Sequence, residues 1–384
     1  MKIKITRSTL PPKHGFWSLH THSRFSVNDA ISDVSQIVRT VAEMGQPAIG
    51  LTDHGNIAGS VQLYKAAKKH GILPFPGTEL YVAHNRRSRD FYHMLVNAYN
   101  TEGYQNLVKI SSLSHRSFYY KPVIELSDLA ALYEAGLLKG LSATSGCYFG
   151  MVSQLIAEDK ITDAEILAKT MAKWFDPFFI EIQNHNITEN EISDAERSTI
   201  LVDIANRLGM PVVITQDSHY CHEHQKPVHE TLKRLVAFGN DPDDAVFPGD
   251  GFHLADDQWI KGHHEPSHYE KGIEGLNHLI DLHDLSIPQL ENYSYNIPFT
   301  VDDPDRELAD RCRQALTDRG LDKKKEYVNR LNTELEIISD TGMAGYIILV
   351  AEVTDWCSEK GIFYQARGSA SGSIVCWLTD ITQA

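Results

Sequence analysis

Short apolar or β-branched runs alternate with longer amphipathic stretches along the first 220 residues. The runs predict strands at residues 16–20, 48–52, 73–76, 93–98, 140–144, 178–183 and 212–216. Apolar residues at helical spacing predict helices at residues 34–44, 60–69, 163–174 and 195–208. This alternation is typical of an α/β fold with a mostly parallel sheet, either open or closed into a barrel.

The pattern changes after Tyr220. Residues 227–290 carry helical spacing around an acidic loop, which predicts a small helical domain, and a turn-rich connector follows at residues 287–305. Residues 306–340 are charged with helical spacing, and 345–356 form an apolar helix or strand pair. We therefore predict three domains, at residues 1–226, 227–300 and 301–384. The apolar run at 374–378 is expected to belong to a half-built sheet, with a continuation missing from this chain.

Composition narrows the classes of function. The net charge of −15 disfavours a surface that is basic throughout, so any contact with DNA is expected to be local. No apolar run reaches the roughly 18 residues that span a bilayer. The amino terminus lacks the apolar core of a secretory signal, and the five cysteines include no C-x-x-C pair. These features predict a cytoplasmic protein.

Side chains that bind metals follow the predicted strands. All nineteen histidines lie between His14 and His283, and several fall at strand ends together with carboxylates and a thiol. The candidates are His20, His22, Asp29, His54, Glu79, His93, Cys147, Asp217 and His219. Because loops after the strands of βα folds converge on one face, we expect these residues to share one pocket.

The donor set predicts the chemistry. Five histidines, three carboxylates and one cysteine exceed the needs of one tetrahedral ion and suit two or three divalent ions, which could be Zn²⁺, Mn²⁺ or Fe²⁺. Clustered divalent ions favour hydrolysis of phosphoesters. Taken alone, the pair His20 and His22 is more often incidental than metal-binding, and Cys147 could be a structural thiol.

Several segments resemble the polymerase-and-histidinol-phosphatase (PHP) domain of bacterial C-family DNA polymerases, of the DNA polymerase III alpha type. They are Leu51-Thr-Asp-His-Gly-Asn56, Gly71-Ile-Leu-Pro-Phe-Pro-Gly-Thr-Glu79, Glu102-Gly-Tyr-Gln-Asn-Leu-Val108, Phe179-Ile-Glu-Ile-Gln-Asn-His185 and Thr215-Gln-Asp-Ser-His-Tyr220. The resemblance implies a distorted (β/α)7 barrel, followed by a helical thumb and the start of an α+β palm.

The resemblance also implies a function. It places metals on all nine candidate residues and a 3′→5′ exonuclease site on His20, His22, His54, Asp217 and His219. Ala30 stands where the family usually has Gly, which makes Asp29 the least secure of the nine ligands. A small-molecule phosphatase and a metal-free structural scaffold stay open as alternatives.

The carboxyl-terminal part resembles the beginning of the palm of the same family. Residues 334–338, 345–350 and 367–373 carry this similarity, and the Gly/Ser-rich turn implies a triphosphate site at Arg367, Gly368, Ser369 and Ser373. A flexible linker is the alternative for this turn. The palm carboxylates that bind Mg²⁺ in the family lie beyond Ala384, so this chain alone is not expected to polymerise DNA.

Partners follow from the same resemblance. The complete protein is expected to bind primer–template DNA and nucleoside triphosphates, and the sliding clamp and other replisome subunits through a part absent here. Basic clusters at residues 86–89 and 323–325 could contact phosphates, but such clusters are more often solvated loops.

Overall fold

The computed structural model describes residues 14–87, 90–116, 118–189, 192–238, 241–287 and 301–382. Their contacts separate two compact units, one within residues 1–290 and the other within 291–384. The predicted boundary between residues 226 and 227 falls inside the first unit. The division into three domains stays a prediction.

A seven-stranded sheet forms the centre of the first unit. Its strands are β1 (Ala48–Leu51), β2 (Leu73–Ala83), β3 (Tyr92–Ala98), β4 (Val123–Glu125), β5 (Leu141–Thr144), β6 (Phe178–Ile182) and β9 (Val212–Ile214). The order is β1-β2-β3-β5-β6-β9, with β4 paired to β2. Neighbours are parallel except at β3, which runs antiparallel to β2 and β5. The predicted α/β fold with a mostly parallel sheet is therefore confirmed.

The short strand β4 was not predicted. Outside the main sheet, β7 (Thr188–Glu189) and β8 (Ile192–Ser193) pair as a small antiparallel hairpin.

The predicted first strand, residues 16–20, is extended but does not form a regular strand. Hydrogen bonds of this segment and the residues just after it join the two ends of the sheet. The Gly50 amide in β1 donates to the Ser18 carbonyl at 2.8 Å, and the His22 amide donates to the carbonyl of Ser218, just after β9, at 2.8 Å. A Cβ at Gly50 would lie 2.0 Å from the Leu19 carbonyl oxygen, so only glycine permits this approach. The segment consequently holds His20 and His22 at the middle of the curled sheet.

Helices surround this sheet in the first unit. They are α1 (Val34–Glu43), α2 (Ser60–His70), α3 (Thr101–Arg116), α4 (Leu126–Glu134), α5 (Met151–Ala157), α6 (Ile161–Trp174), α7 (Asp194–Leu208), α8 (Lys226–Leu235), α9 (Asp257–His263) and α10 (Pro266–Leu282). Local signals fix their starts: the Asp33 side chain caps α1, and Ser193 with Glu196 forms a capping box on α7. In the core, the fully buried rings of Trp17 and Phe75 stack 4.9 Å apart.

The second unit is helical over its described residues. Its helices are α11 (Pro304–Asp318), α12 (Lys325–Asp340), α13 (Ala344–Glu359) and α14 (Ile374–Leu378), and residues Gly368–Gly372 form a 3₁₀ turn. Residues 345–356 are therefore helix, and the strand-pair alternative is wrong. Residues 374–378 were expected in a half-built sheet but form α14, because the Ser373 side chain caps the helix start by accepting a hydrogen bond from the Cys376 amide.

Among the described residues, no single helix is long and apolar enough to cross a bilayer. Helices α12 and α13, bent by 113° at their junction, have the required length and composition only as a pair.

Candidate metal centre

The nine predicted ligands come together in the first unit. The extended segment before β1 supplies His20 and His22, and the turn after it supplies Asp29. The loops after β1, β5 and β9 supply the remaining loop residues, namely His54, Cys147, Asp217 and His219. Glu79 and His93 lie within β2 and β3, not beyond them, because β2 extends to Ala83. Antiparallel pairing of β3 with β2 places His93 opposite Tyr81, two residues from Glu79.

Glu79 lies at the centre of the cluster. Its side chain is 1% exposed. Its Oε1 lies 3.4 Å from His20 Nε2 and 3.1 Å from His93 Nδ1, and its Oε2 lies 2.6 Å from His54 Nδ1. The thiol of Cys147 is 3.5 Å from both Glu79 Oε1 and His93 Nδ1. One carboxylate thus contacts donors from four separate parts of the chain.

Two further carboxylates complete the cluster. Asp217 Oδ1 lies 3.2 Å from His20 Nε2 and 3.1 Å from His22 Nε2. Asp29 Oδ2 lies 2.7 Å from His54 Nε2 and 2.9 Å from His219 Nε2. The Cβ of Ala30 therefore does not keep Asp29 away from the other donors.

Three overlapping groups of these donors have the spacing of metal ligands. Within each group all the ligand atoms lie within 4.8 Å of one another, and the groups are His22 with His54 and His219, His20 with His22 and Glu79, and His54 with Glu79 and His93. Glu79 Oε2, Asp217 Oδ1 and His54 Nδ1 are buried without a well-aligned hydrogen bond to any described residue. Buried polar atoms are rarely left so, and the mixed N and O donors fit divalent cations.

A second layer of groups orients three of the imidazoles. His20 Nδ1 donates to Glu181 Oε1 at 2.8 Å, and His219 Nδ1 donates to the Asp217 carbonyl at 2.8 Å. His22 Nδ1 donates to Ser26 Oγ at 2.9 Å, since that hydroxyl itself donates to Asp53. When the imidazoles are neutral, each of these bonds leaves the Nε2 lone pair facing the cluster.

Burial and neighbouring charges set the pKa values in the cluster. Burial lowers the pKa of His54, but the Glu79 and Asp29 carboxylates outweigh it and raise that pKa to about 10. Burial lowers the pKa of His22 to about 3, and His54 and His219 add to the effect. Burial also raises the pKa of the Cys147 thiol, reinforced by Glu79. Without metal, the cluster is a network of ion pairs in which His54 is cationic and His22 is neutral.

Sequence reasoning missed several residues that shape this site. Glu181 is the clearest, because its buried carboxylate also accepts hydrogen bonds from Thr215 at 2.5 Å, from Gln183 at 3.0 Å and from Thr144. A charged residue inside the apolar strand β6 was the available signal. Lys233 Nζ pairs with Asp29 Oδ1 at 2.6 Å, but nothing in the sequence around α8 indicates this contact.

The residues predicted for triphosphate binding belong to the second unit. Arg367, Gly368 and Ser369 are exposed at the 3₁₀ turn, and Gly368 has a left-handed φ of 74°. The Ser373 hydroxyl donates to Glu334 Oε2 at 2.7 Å and caps α14. The role of these four residues stays a prediction.

Comparisons with known proteins match both units. The PHP domain family matches residues 18–185, and the bacterial DNA polymerase III alpha NTPase domain family matches residues 306–384. The DNA polymerase III alpha subunit of Treponema pallidum is 30% identical over 383 residues, covering 96% of this chain and 32% of the relative. The chain belongs to the bacterial DNA polymerase III alpha family.

A second polymerase relative matches to a similar extent. The DNA polymerase III alpha subunit of Aquifex aeolicus is 30% identical over 401 residues, covering 96% of this chain and 33% of the relative. The chain spans about a third of the length of these two polymerase subunits. A solved structure of a candidate metal-dependent phosphoesterase from Bifidobacterium adolescentis is 15% identical, with a TM-score of 0.36, and covers 66% of this chain and 96% of that one.

The matches confirm the resemblance to the polymerase III alpha family and its PHP domain. They name no metal and assign no activity to the clustered donors of this chain.

Proposed function

We propose that the first unit is a metal-dependent phosphoesterase that removes nucleotides from DNA 3′ ends. The observation that carries this proposal is the convergence of nine donor side chains, with buried Glu79 and Asp217 oxygens and the His54 Nδ1 lacking aligned hydrogen bonds. So many buried charges are unusual in an apolar core, because burying charge is costly even when the charges are paired.

The residues that would hold the ions are the nine ligands, and Glu181 and Ser26 orient His20 and His22 toward them. Divalent ions bound there would supply a deprotonated water and stabilise charge on the phosphoryl oxygens. Lys233 holds Asp29 from outside the cluster. Because His20, His22, Glu79 and Cys147 are all buried, ions held by these residues would be partly shielded from bulk water.

The activity of the complete protein is also a proposal. As a member of the polymerase III alpha family, it would act in the cytoplasm as a DNA-directed DNA polymerase on primer–template DNA and nucleoside triphosphates. Its polymerase site would use Mg²⁺, and replisome subunits would bind elsewhere in the protein.

The test is a 3′→5′ exonuclease assay of the 384-residue chain on 5′-labelled single-stranded DNA, with Mn²⁺, Zn²⁺ or Fe²⁺ added after chelation. We expect stepwise shortening that requires metal and is lost in His20→Ala/His22→Ala. Glu158→Gln serves as a control, because Glu158 is 53% exposed and pairs only with Lys160 among the described ion pairs.

Two outcomes would overturn the proposal. Hydrolysis of a phosphomonoester without DNA shortening would favour a small-molecule phosphatase. No bound metal and no change in thermal stability on chelation would favour a structural scaffold.

A further inference from the structure

Three consecutive aromatic residues are exposed in the loop between α3 and β4. Phe118 is 58% exposed, Tyr119 63% and Tyr120 76%. They belong to the 118–122 segment, which continues through Lys121 and Pro122 into β4. Adjacent exposed aromatic rings on a soluble unit commonly mark a binding surface.

The 118–122 segment runs directly to the metal centre. Lys121 Nζ lies 4.1 Å from the centroid of the Tyr81 ring and 4.8 Å from that of Phe91. The Tyr81 ring stacks on His54, with 5.7 Å between ring centroids. Pro122 borders Gly55, since a Cβ placed on Gly55 would lie 2.5 Å from Pro122 Cγ. The exposed rings are thus followed within two residues by contacts to the His54 region.

The Lys121 ammonium is available for an anion. No carboxylate of the described residues forms an ion pair with its Nζ, and the side chain is held over two aromatic faces. Arg116, at the end of α3, adds an exposed cation just before the rings. A further ring, Phe149, is 57% exposed and lies 5.5 Å from His93.

This combination points to one class of ligand. Exposed aromatic rings beside cations bind single-stranded nucleic acid, because bases stack on the rings and phosphates pair with the ammonium groups. An apolar protein partner would not explain why the surface ends at a cluster suited to phosphoesters. Continuity with that cluster therefore favours a nucleic-acid strand.

We propose that the 118–122 segment binds the single strand of DNA whose 3′ end enters the metal centre. Bases stack on Phe118, Tyr119 and Tyr120, and Lys121 contacts a backbone phosphate near the scissile bond. The direction of the strand rests on the proposed exonuclease function, whereas the stacking surface can be tested without it.

The experiment measures fluorescence anisotropy of a 5′-labelled oligothymidylate, about 12 nucleotides long, titrated with the full chain in EDTA so that no hydrolysis occurs. We expect Phe118→Ala/Tyr119→Ala to raise Kd by at least about 10-fold, as lost base stacking does. We expect Lys121→Met to raise Kd and to reduce the salt dependence of binding by about one phosphate contact.

Ile166→Ala is the matched control, because Ile166 on α6 is 57% exposed, close to the value for Phe118. Circular dichroism melting of each variant checks that the fold is retained. A Kd in the double variant equal to that of the control would overturn the inference, and the rings would then be assigned to a protein partner.

Failure of the proposed function would look different. Wild-type hydrolysis of bis(p-nitrophenyl) phosphate with added metal reports on the centre without base stacking. If the wild type binds DNA through these rings but hydrolyses neither single-stranded DNA nor bis(p-nitrophenyl) phosphate, the exonuclease proposal fails. The proposed binding surface is then unaffected.

Discussion

Glu79 in the first unit and Glu334 in the second are both carboxylates held by several partners, but their surroundings differ. Glu79 is 1% exposed and faces four histidines and a thiol. Glu334, on α12, is 13% exposed and accepts from the Ser373 hydroxyl and the Val375 amide at the start of α14, while pairing with Arg330.

The difference separates two uses of buried charge. Around Glu334 the contacts from Ser373 and Val375 join α12 to the start of α14, so the carboxylate stabilises the second unit as a helix cap does. Around Glu79 the histidines compete for one carboxylate, and desolvation of so many groups offsets their attraction. Such an arrangement is expected where ligand binding, not folding alone, determines which residues are retained.

The largest expected effect is that of Glu79→Gln. This change removes one of the two carboxylates that pair with His54, the other being Asp29. Breaking a buried ion-pair network in this way should cost about 3–5 kcal/mol of unfolding free energy in metal-free protein. Urea denaturation of the 1–290 unit measures it, with Glu158→Gln expected to change stability by about 1 kcal/mol or less. If Glu79→Gln were as stable as the wild type without metal, the ion-pair network would contribute nothing to folding.

Glu181→Gln should have an intermediate effect, seen in metal binding more than in folding. Gln keeps the shape but weakens the hold on His20 Nδ1, so metal affinity should fall by about 10- to 100-fold. Isothermal titration with Mn²⁺ and Zn²⁺ measures it. Glu165→Gln, which loses an exposed pair with Arg207, is the control. Unchanged affinity in Glu181→Gln would show that this carboxylate does not orient the ligand.

Glu334→Gln should have the smallest effect, about 1 kcal/mol in the second unit. Burial alone would raise the pKa of Glu334, but hydrogen bonds donated by Ser373 and Arg330 outweigh it, and the pKa lies below the usual 4.5. The stabilisation of the second unit by the ionised Glu334 carboxylate is therefore complete above pH 4.5. It is lost as the pH falls through the lower pKa of the folded state.

Thermal melting of the wild type and Glu334→Gln between pH 7 and pH 3 tests this assignment. The difference in melting temperature between the two proteins should become smaller as the pH falls. A difference that stays constant over this range would contradict the charge-based explanation. Arg306→Ala, at an exposed pair with Asp310, should change stability by less than about 0.5 kcal/mol at either pH.

Much of the first unit follows from local sequence patterns. The apolar runs predicted β1, β2, β3, β5, β6 and β9, because consecutive buried residues in short runs bounded by breakers leave few alternatives to a buried strand. The strand-end position of His54, Cys147, Asp217 and His219 was equally readable. The 16–20 segment was misassigned as a regular strand, since its hydrogen bonds go to both ends of the sheet and not along one partner.

Residues 374–378 show where local reading failed. Their apolar composition suits a strand or a helix equally, and the Ser373 cap together with Glu334 from α12 decided in favour of α14. Lys121 and Lys233 were not recognisable as neighbours of the metal centre for a related reason. Each approaches it from an element distant in sequence, and no spacing rule connects them to Asp29 or Tyr81.

The sequence by itself determined the alternation of strands and helices and the family to which the chain belongs, and it predicted the nine candidate ligands. Only the tertiary structure decided that Glu79 contacts four histidines, that Glu181 orients His20, and that the 118–122 segment borders His54. The physical reason is that periodicity and residue chemistry are local properties, whereas distances between donors and the pKa values they produce depend on how the sheet curls. Closure of the two sheet ends by the extended segment before β1 brings those local choices into one site.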